Sequence, residues 1–155
     1  MNNIDTTQHI TYFTVEEVSN SPEDTLLLAV KISKLLRPGD LIHLKGDLGA
    51  GKTTLIKGII QYLCGIDQDK ISSPTFTYVN TYVNNVTVNH FDFYRITSEE
   101  QAMLLGLDEH INSSCISLVE WPERVPNIVK NPTYEIEISY TGQVQRSIKI
   151  TSIKR

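Results

Sequence analysis

Hydrophobic and polar positions repeat with two different periods along this 155-residue chain, and the switches between them mark its elements. Residues 10–15 are rich in β-branched and aromatic types and read as an opening strand. Ser21-Pro22-Glu23-Asp24 then combines an N-cap, a first-turn proline and two acids that complement the helix dipole. That start predicts a helix to about residue 36, with Leu27, Val30 and Leu35 among its core positions. Pro38-Gly39 is a turn, and Asp40-Leu41-Ile42-His43-Leu44-Lys45 behind it is a short apolar run of the kind found in strands covered on both faces. From residue 53 to 63 the period becomes helical: Leu55, Ile59 and Leu63 share a stripe with Ile56 and Ile60 beside it, and Gly65 offers a stop. Residues 77–83 and 86–93 flank Asn84-Asn85, a hairpin signal because asparagine tolerates positive φ. Ser98-Glu99-Glu100-Gln101 is a capping box for a short helix to about residue 105, ended by Gly106. Cys115-Ile116-Ser117-Leu118-Val119 is a second buried-strand run. The tail alternates Tyr134, Ile136, Ile138 and Tyr140 against Glu135 and Glu137, turns at Thr141-Gly142, and ends in a strand holding Val144, Ile148 and Ile150.

Between the first buried strand and the helix at 53–63 lies Gly46-Asp47-Leu48-Gly49-Ala50-Gly51-Lys52-Thr53, a complete GxxxxGK[ST] string. The chemistry needs that order of strand, loop and helix. Glycines let consecutive backbone N–H groups converge on a phosphate chain, the helix start adds its positive dipole end, and Lys52 reaches the β/γ-phosphates. Thr53 supplies a hydroxyl for Mg²⁺, which keeps most of its water shell. A glycine-rich turn before a helix would also produce glycines here, but not the Lys-Thr pair in register with both flanks. The fold this implies is α/β: a three-layer P-loop NTPase fold with a mixed, mainly parallel sheet flanked by helices and antiparallel C-terminal strands. At this length residues 1–155 fit a single P-loop ATPase domain.

Composition narrows the partners. The 40% hydrophobic and 21% charged fractions are ordinary for a soluble protein, and no apolar run approaches the roughly 18 residues of a membrane span. The N-terminal residues have neither the basic start nor the apolar stretch of a signal peptide, so a cytoplasmic location is expected. A net charge of −4 argues against a stand-alone nucleic-acid binder. Neither DNA nor a membrane is expected as a partner, and any RNA would be held by another protein. Cys64 and Cys115 have no metal-type or redox spacing and read as small buried hydrophobes.

Phosphoryl transfer needs a held metal ion and an oriented nucleophile, so acids at strand ends are the residues to seek. Asp92 lies in Asn89-His90-Phe91-Asp92-Phe93-Tyr94-Arg95, where alternation sets His90, Asp92 and Tyr94 opposite the two phenylalanines. Glu120 closes the strand that begins at Cys115, the position at which open α/β sheets place ligands. Either acid alone could be a surface or salt-bridged residue; the phosphate loop elsewhere in the chain favours function. His43 and His90 lack a second ligand at metal spacing and read as core or strand-edge imidazoles. For Arg95 and Arg124, the arginines nearest the acids, surface pairing and stabilisation of transition-state charge both stand open.

Four motifs together, Gly46 to Thr54, Ser73-Pro74-Thr75-Phe76, His90-Phe91-Asp92-Phe93-Tyr94-Arg95 and Val119-Glu120-Trp121, resemble the bacterial TsaE (YjeE) family in order and spacing over residues 40–125. Other P-loop proteins share only the first. The resemblance implies a small ATPase needed for threonylcarbamoyladenosine, a modified base beside the anticodon of tRNA. It implies action on the TsaD–TsaB pair, with tRNA met only indirectly through that complex and weak activity alone. Carried over by motif, Asp47, Leu48, Gly49, Ala50, Gly51, Lys52, Thr53 and Thr54 would cradle ATP, with Thr54 near the α-phosphate. Thr53 and Glu120 would sit at Mg²⁺, and Asp92 would act at the metal or on the attacking water. Lys52, Asp92 and Glu120 are then the catalytic set. Thr75 would sense the γ-phosphate from a switch-like loop, Trp121 would lie close to the nucleotide, and the helix start around Glu23 and Asp24 is similar to a region near the adenine. Ser72 and His110 depart from the Thr and Tyr common in the family.

Three other functions compete. A small-molecule kinase usually closes an arginine-bearing lid, and the arginines here are scattered. A GTPase would carry an NKxD guanine-reading string, which the sequence lacks. A nucleotide-binding scaffold would regulate a partner without turnover, and a comparison of hydrolysis with and without that partner separates it from an ATPase.

Overall fold

A computed structural model describes residues 13–153. Among the described residues, seven strands form one sheet: β1 (Thr14–Ser19), β2 (Leu41–Lys45), β3 (Val79–Val83), β4 (Thr87–Asp92), β5 (Cys115–Glu120), β6 (Tyr134–Tyr140) and β7 (Arg146–Ser152). Their order is β1-β7-β6-β2-β5-β4-β3. The four central strands β6, β2, β5 and β4 run parallel, while β1, β7 and β3 pair antiparallel at the margins. This is the mixed, parallel-centred α/β architecture that the alternation of strand and helix signals implies.

Helices cover both faces. On one, α1 (Pro22–Ser33) and α2 (Lys52–Cys64) pack on Ile42, Leu44, Val88, Ile116, Leu118 and Ile136. On the other, α3 (Glu99–Leu104) contributes Ala102 to a smaller core with Leu41, Phe91, Phe93, Val119, Val125 and Val129. The period-2 rule explains the division: Ile42 and Leu44 face one core, Leu41 the other. His43 shares the second face, buried, with Nε2 2.6 Å from the Val129 carbonyl oxygen, and burial lowers its pKa below the usual imidazole value. In α2, Leu55, Ile56, Ile59 and Ile60 are fully buried, each worth about 1.5–3 kcal/mol of hydrophobic transfer. The hairpin at Asn84-Asn85, the short helix capped by Ser98 Oγ on the Gln101 N–H, and the burial of both free cysteines follow the sequence. Among the described residues no helix is long and apolar enough to cross a membrane.

Several boundaries differ from the sequence reading. Residues 10–12 of the expected opening strand lie outside the described residues, and β1 starts at Thr14. α1 ends at Ser33, and its buried hydrophobic stripe is Leu28, Ala29 and Ile32, with Leu36 buried just beyond it, Leu27 67% and Leu35 40% exposed and Val30 half-buried. The run Leu26-Leu27-Leu28 leaves the helical phase open, and the contact with α2 decides it. A Cβ built on Gly58 would lie 2.6 Å from the Ala29 Cβ and 3.0 Å from Leu26 Cδ2, so the two helices touch where both residues are small. Val144 is exposed in the turn before β7 rather than inside it. Three short 3₁₀ turns, Gln68–Lys70, Leu107–His110 and Pro122–Arg124, had no periodic signal.

The Ala29–Gly58 contact gives a stability prediction. Gly58→Val improves helix propensity yet overpacks a site with no free space, and we expect a net loss of about 1–3 kcal/mol in chemical denaturation. A variant as stable as the parent would show that α1 and α2 do not meet there.

Candidate functional site

The parallel register brings three strand ends to one place. Leu44 of β2 pairs with Glu120 of β5, and Glu120 pairs with Asp92 of β4. The C-terminal ends of three adjacent strands therefore supply the phosphate loop, Glu120 and Asp92 side by side, the edge at which α/β sheets bind ligands.

The loop's shape follows from its glycines. Gly46 has φ 151° and any Cβ there would fall 2.5 Å from the Ile138 carbonyl oxygen, so the chain leaves β2 against β6 with no room for a side chain. Gly51 has φ 108° at the N-cap of α2, where no side chain caps the helix. The first-turn N–H groups of Lys52, Thr53 and Thr54 thus point out of an uncapped helix end, where an anion is favoured. Two residues from the C-terminal hairpin brace the loop from outside: the Tyr140 hydroxyl donates to the Gly49 carbonyl, Arg146 Nε donates to the Ala50 carbonyl at 3.0 Å, and the Arg146 guanidinium lies 3.9 Å from the Tyr140 ring centroid.

A cavity of about 450 Å³ opens beside the loop. Leu48, Gly49, Gly51, Lys52, Thr53 and Thr54 form one wall. Ser73, Thr75, Asp92, Tyr94, Arg95, Glu120 and Trp121 form the other. Ten of the twelve residues expected from the sequence line it. The exceptions are Asp47 and Ala50: Ala50 is buried, and the Asp47 carbonyl accepts its N–H at 3.0 Å. Glu23 and Asp24 do not line this cavity; Ser21, Pro22 and Thr25 of the same turn meet Gly51 and Thr54 in a small adjoining cleft.

Each charged group is held. Lys52 Nζ donates to the Gly46 carbonyl and sits 4.1 Å from the Trp121 ring centroid. Burial lowers its pKa, and the carboxylates of Glu120, Glu123, Asp92 and Asp47 pull it back up. Asp92 Oδ2 accepts from Ser73 Oγ at 3.1 Å and Oδ1 from the Tyr94 N–H at 3.0 Å, which ties β4 to the 72–77 loop. Glu120 is 3% exposed, with Oε2 2.8 Å from His90 Nε2. His90 is itself buried and its Nδ1 has no partner among the described residues, so the ring's one polar contact orients Glu120. Two residues beside these acids have positive φ without being glycine: Tyr78 at 66°, closing the loop, and Trp121 at 57°, directly after Glu120. Strain of this kind costs about 1–3 kcal/mol per residue and gathers at functional sites. It turns the Trp121 ring back over Lys52, with Tyr94 5.0 Å away between centroids.

The donor set fits a hard divalent cation. The Thr53 hydroxyl and Glu120 Oε1 both belong to the cavity walls and neither makes a hydrogen bond among the described residues. Among those residues no three His, Cys, Asp or Glu side chains form a metal cage. Such a pair suits an ion that arrives with water and phosphate oxygens as its other ligands. Sequence reasoning did not find the Tyr140–Arg146 brace or the bond from His90 to Glu120. Tyr140 looked like a core position of an alternating strand, and only the pairing of β6 beside β2 brings it to the loop.

Comparison with known proteins identifies the family and the fold. The profile of the family described as threonylcarbamoyl adenosine biosynthesis protein TsaE matches residues 19–148. The tRNA threonylcarbamoyladenosine biosynthesis protein TsaE of Rickettsia conorii is 41% identical over 132 residues, covering 84% of this chain and 74% of that protein. Its Bacillus subtilis namesake is 37% identical over 134 residues, covering 86% and 82%. The crystal structure of Bacillus subtilis YdiB superposes with a TM-score of 0.76 at 30% identity, covering 92% of this chain and 88% of that one. With a profile spanning most of its length and relatives this similar, the chain belongs to the TsaE family of threonylcarbamoyladenosine biosynthesis proteins, which act in tRNA modification.

Proposed function

We propose that this chain is one P-loop ATPase domain that binds ATP with Mg²⁺ and hydrolyses it in the service of threonylcarbamoyladenosine synthesis in the cytoplasm. The observation that carries the reading is the single cavity shared by the uncapped start of α2, Lys52, Thr53 and the paired strand-end acids Asp92 and Glu120. An adenine nucleotide is favoured over guanine because the chain has no NKxD string.

In this reading the backbone N–H groups of residues 48–53 and the Lys52 ammonium bind the β- and γ-phosphates, with Thr54 towards the α-phosphate. Thr53 and Glu120 hold Mg²⁺, which when bound supplies positive charge to phosphate oxygens. Thr75 meets the γ-phosphate from the 72–77 loop, and Trp121 covers the nucleotide beside Lys52. Water attacks the γ-phosphorus as the bond from that phosphorus to the bridging oxygen breaks. ADP leaves with the bonding pair, and the water proton passes towards Asp92, which orients the attacking oxygen. His90 keeps the Glu120 carboxylate turned to the cavity. The chain acts on the TsaD–TsaB pair and meets tRNA only through that complex, in keeping with its net charge of −4. Turnover by the isolated chain is then slow and rises when the partners bind.

Two sets of variants test these roles. Lys52→Ala removes a charge-assisted contact worth roughly 1.5–3 kcal/mol, so calorimetry should show MgATP affinity falling at least about tenfold; unchanged affinity would remove Lys52 from the phosphate site. Asp92→Asn should bind MgATP normally while hydrolysis in the presence of TsaD–TsaB drops by about 10²-fold or more. Glu120→Ala should instead raise the Mg²⁺ concentration needed for binding. Full hydrolysis by Asp92→Asn, a wild-type metal titration in Glu120→Ala, or no stimulation of the parent by the partners would each overturn its part of the scheme.

A further inference from the structure

Charge balance in the cavity singles out a residue that the scheme above does not use. Among the residues lining the cavity, two carboxylates, Asp92 and Glu120, face two cations, Lys52 and Arg95. Lys52 is the cation already assigned to the β- and γ-phosphates, and it rests on the Gly46 carbonyl and the Trp121 ring. Arg95 has no carboxylate within 4 Å among the described residues, although ordinary surface pairing would supply one. Its guanidinium rests instead against the Phe76 ring, 4.6 Å from Cζ to the centroid. Phe76 is 78% exposed, so this stack is not there to bury a hydrophobe. It follows directly on Thr75, which lines the cavity, and Arg95 itself follows three residues after Asp92. Arg124, the other arginine near the acids, lies 5.9 Å from the Tyr94 ring and does not line the cavity.

We propose that Arg95 is an arginine supplied in cis to the charge that develops on the transferring phosphoryl group, and that Phe76 is the positioning residue that holds it ready beside Thr75. The inference rests on the ATP-hydrolysing reading and adds its charge-stabilising group. A cation held over an exposed ring is held weakly, and a guanidinium gains far more from two charge-assisted bonds to phosphate oxygens. Because Phe76 follows Thr75, the stack sets the guanidinium beside the segment that meets the γ-phosphate in this reading. During hydrolysis Arg95 neither gives nor takes a proton; its fixed charge lowers the energy of the negative oxygens as the bond to ADP breaks.

The test compares the affinity of the parent and variants for MgADP with that for MgADP plus aluminium fluoride, a mimic of the transferring phosphoryl group, by calorimetry on the full chain. Fluoride should tighten binding by the parent. In Arg95→Ala the MgADP affinity should stay within about twofold while the tightening falls at least about tenfold, and Arg95→Lys should recover only part, lacking the planar fork. Phe76→Ala should lose part of the tightening with Arg95 still present. Full tightening in Arg95→Ala, an equal fall in its MgADP affinity, or a parent that binds MgADP without any tightening would overturn the assignment to Arg95. Full tightening in Phe76→Ala would overturn the positioning role. A parent that binds no MgADP would instead bring down the nucleotide reading on which the inference stands.

Discussion

The parallel pairing of β2, β5 and β4 is the constraint on which the rest of the site depends. Parallel neighbours end on the same edge, so a loop leaving β2 and acids ending β5 and β4 meet without any long side chain having to reach. Antiparallel pairing at either of those contacts would put one partner at the opposite end of the sheet. The buried residues of these strands enforce the register, because a slip of one residue would turn Ile42, Leu44, Ile116 and Leu118 from the α1–α2 core to the other face. Hydrophobic burial, far larger than any single site contact, thereby fixes the spacing between Lys52, Asp92 and Glu120.

Much of this was legible because the features are local. A GxxxxGK[ST] string is read in eight residues, and the alternation around Asp92 separates Phe91 and Phe93 from His90 over seven. Both survive folding because the second core does take the two phenylalanines, whose ring centroids lie 5.5 Å apart. What escaped depends on distant segments. The phase of α1 was misread at Leu27 and Leu35 because three consecutive leucines fit several helical stripes, and the Ala29–Gly58 contact with a later helix chose among them. The Tyr140 and Arg146 brace escaped because 91 residues separate Tyr140 from Gly49.

Tension between order and strain runs through the second wall. Asp92 is fixed through both carboxylate oxygens and Glu120 through His90, whereas Tyr78 and Trp121 carry backbone conformations that bulky residues avoid. Each acid has a strained aromatic position beside it: Glu120 directly precedes Trp121, and the Asp92 N–H donates to the Tyr78 carbonyl at 3.0 Å. That arrangement suits a site in which the carboxylates must keep their places while the 72–77 loop and the Trp121 ring adapt to a ligand.

The most direct test of the central claim reads the loop itself. Amide ¹H–¹⁵N spectra of the labelled chain, titrated with MgATP and separately with adenosine, report which backbone N–H groups meet phosphate. If the loop cradles a triphosphate, MgATP produces the largest shifts at Gly49, Gly51, Lys52 and Thr53, and adenosine leaves these four nearly still. Shifts confined to other parts of the sheet, or equal responses to the two ligands at the loop, would contradict that claim.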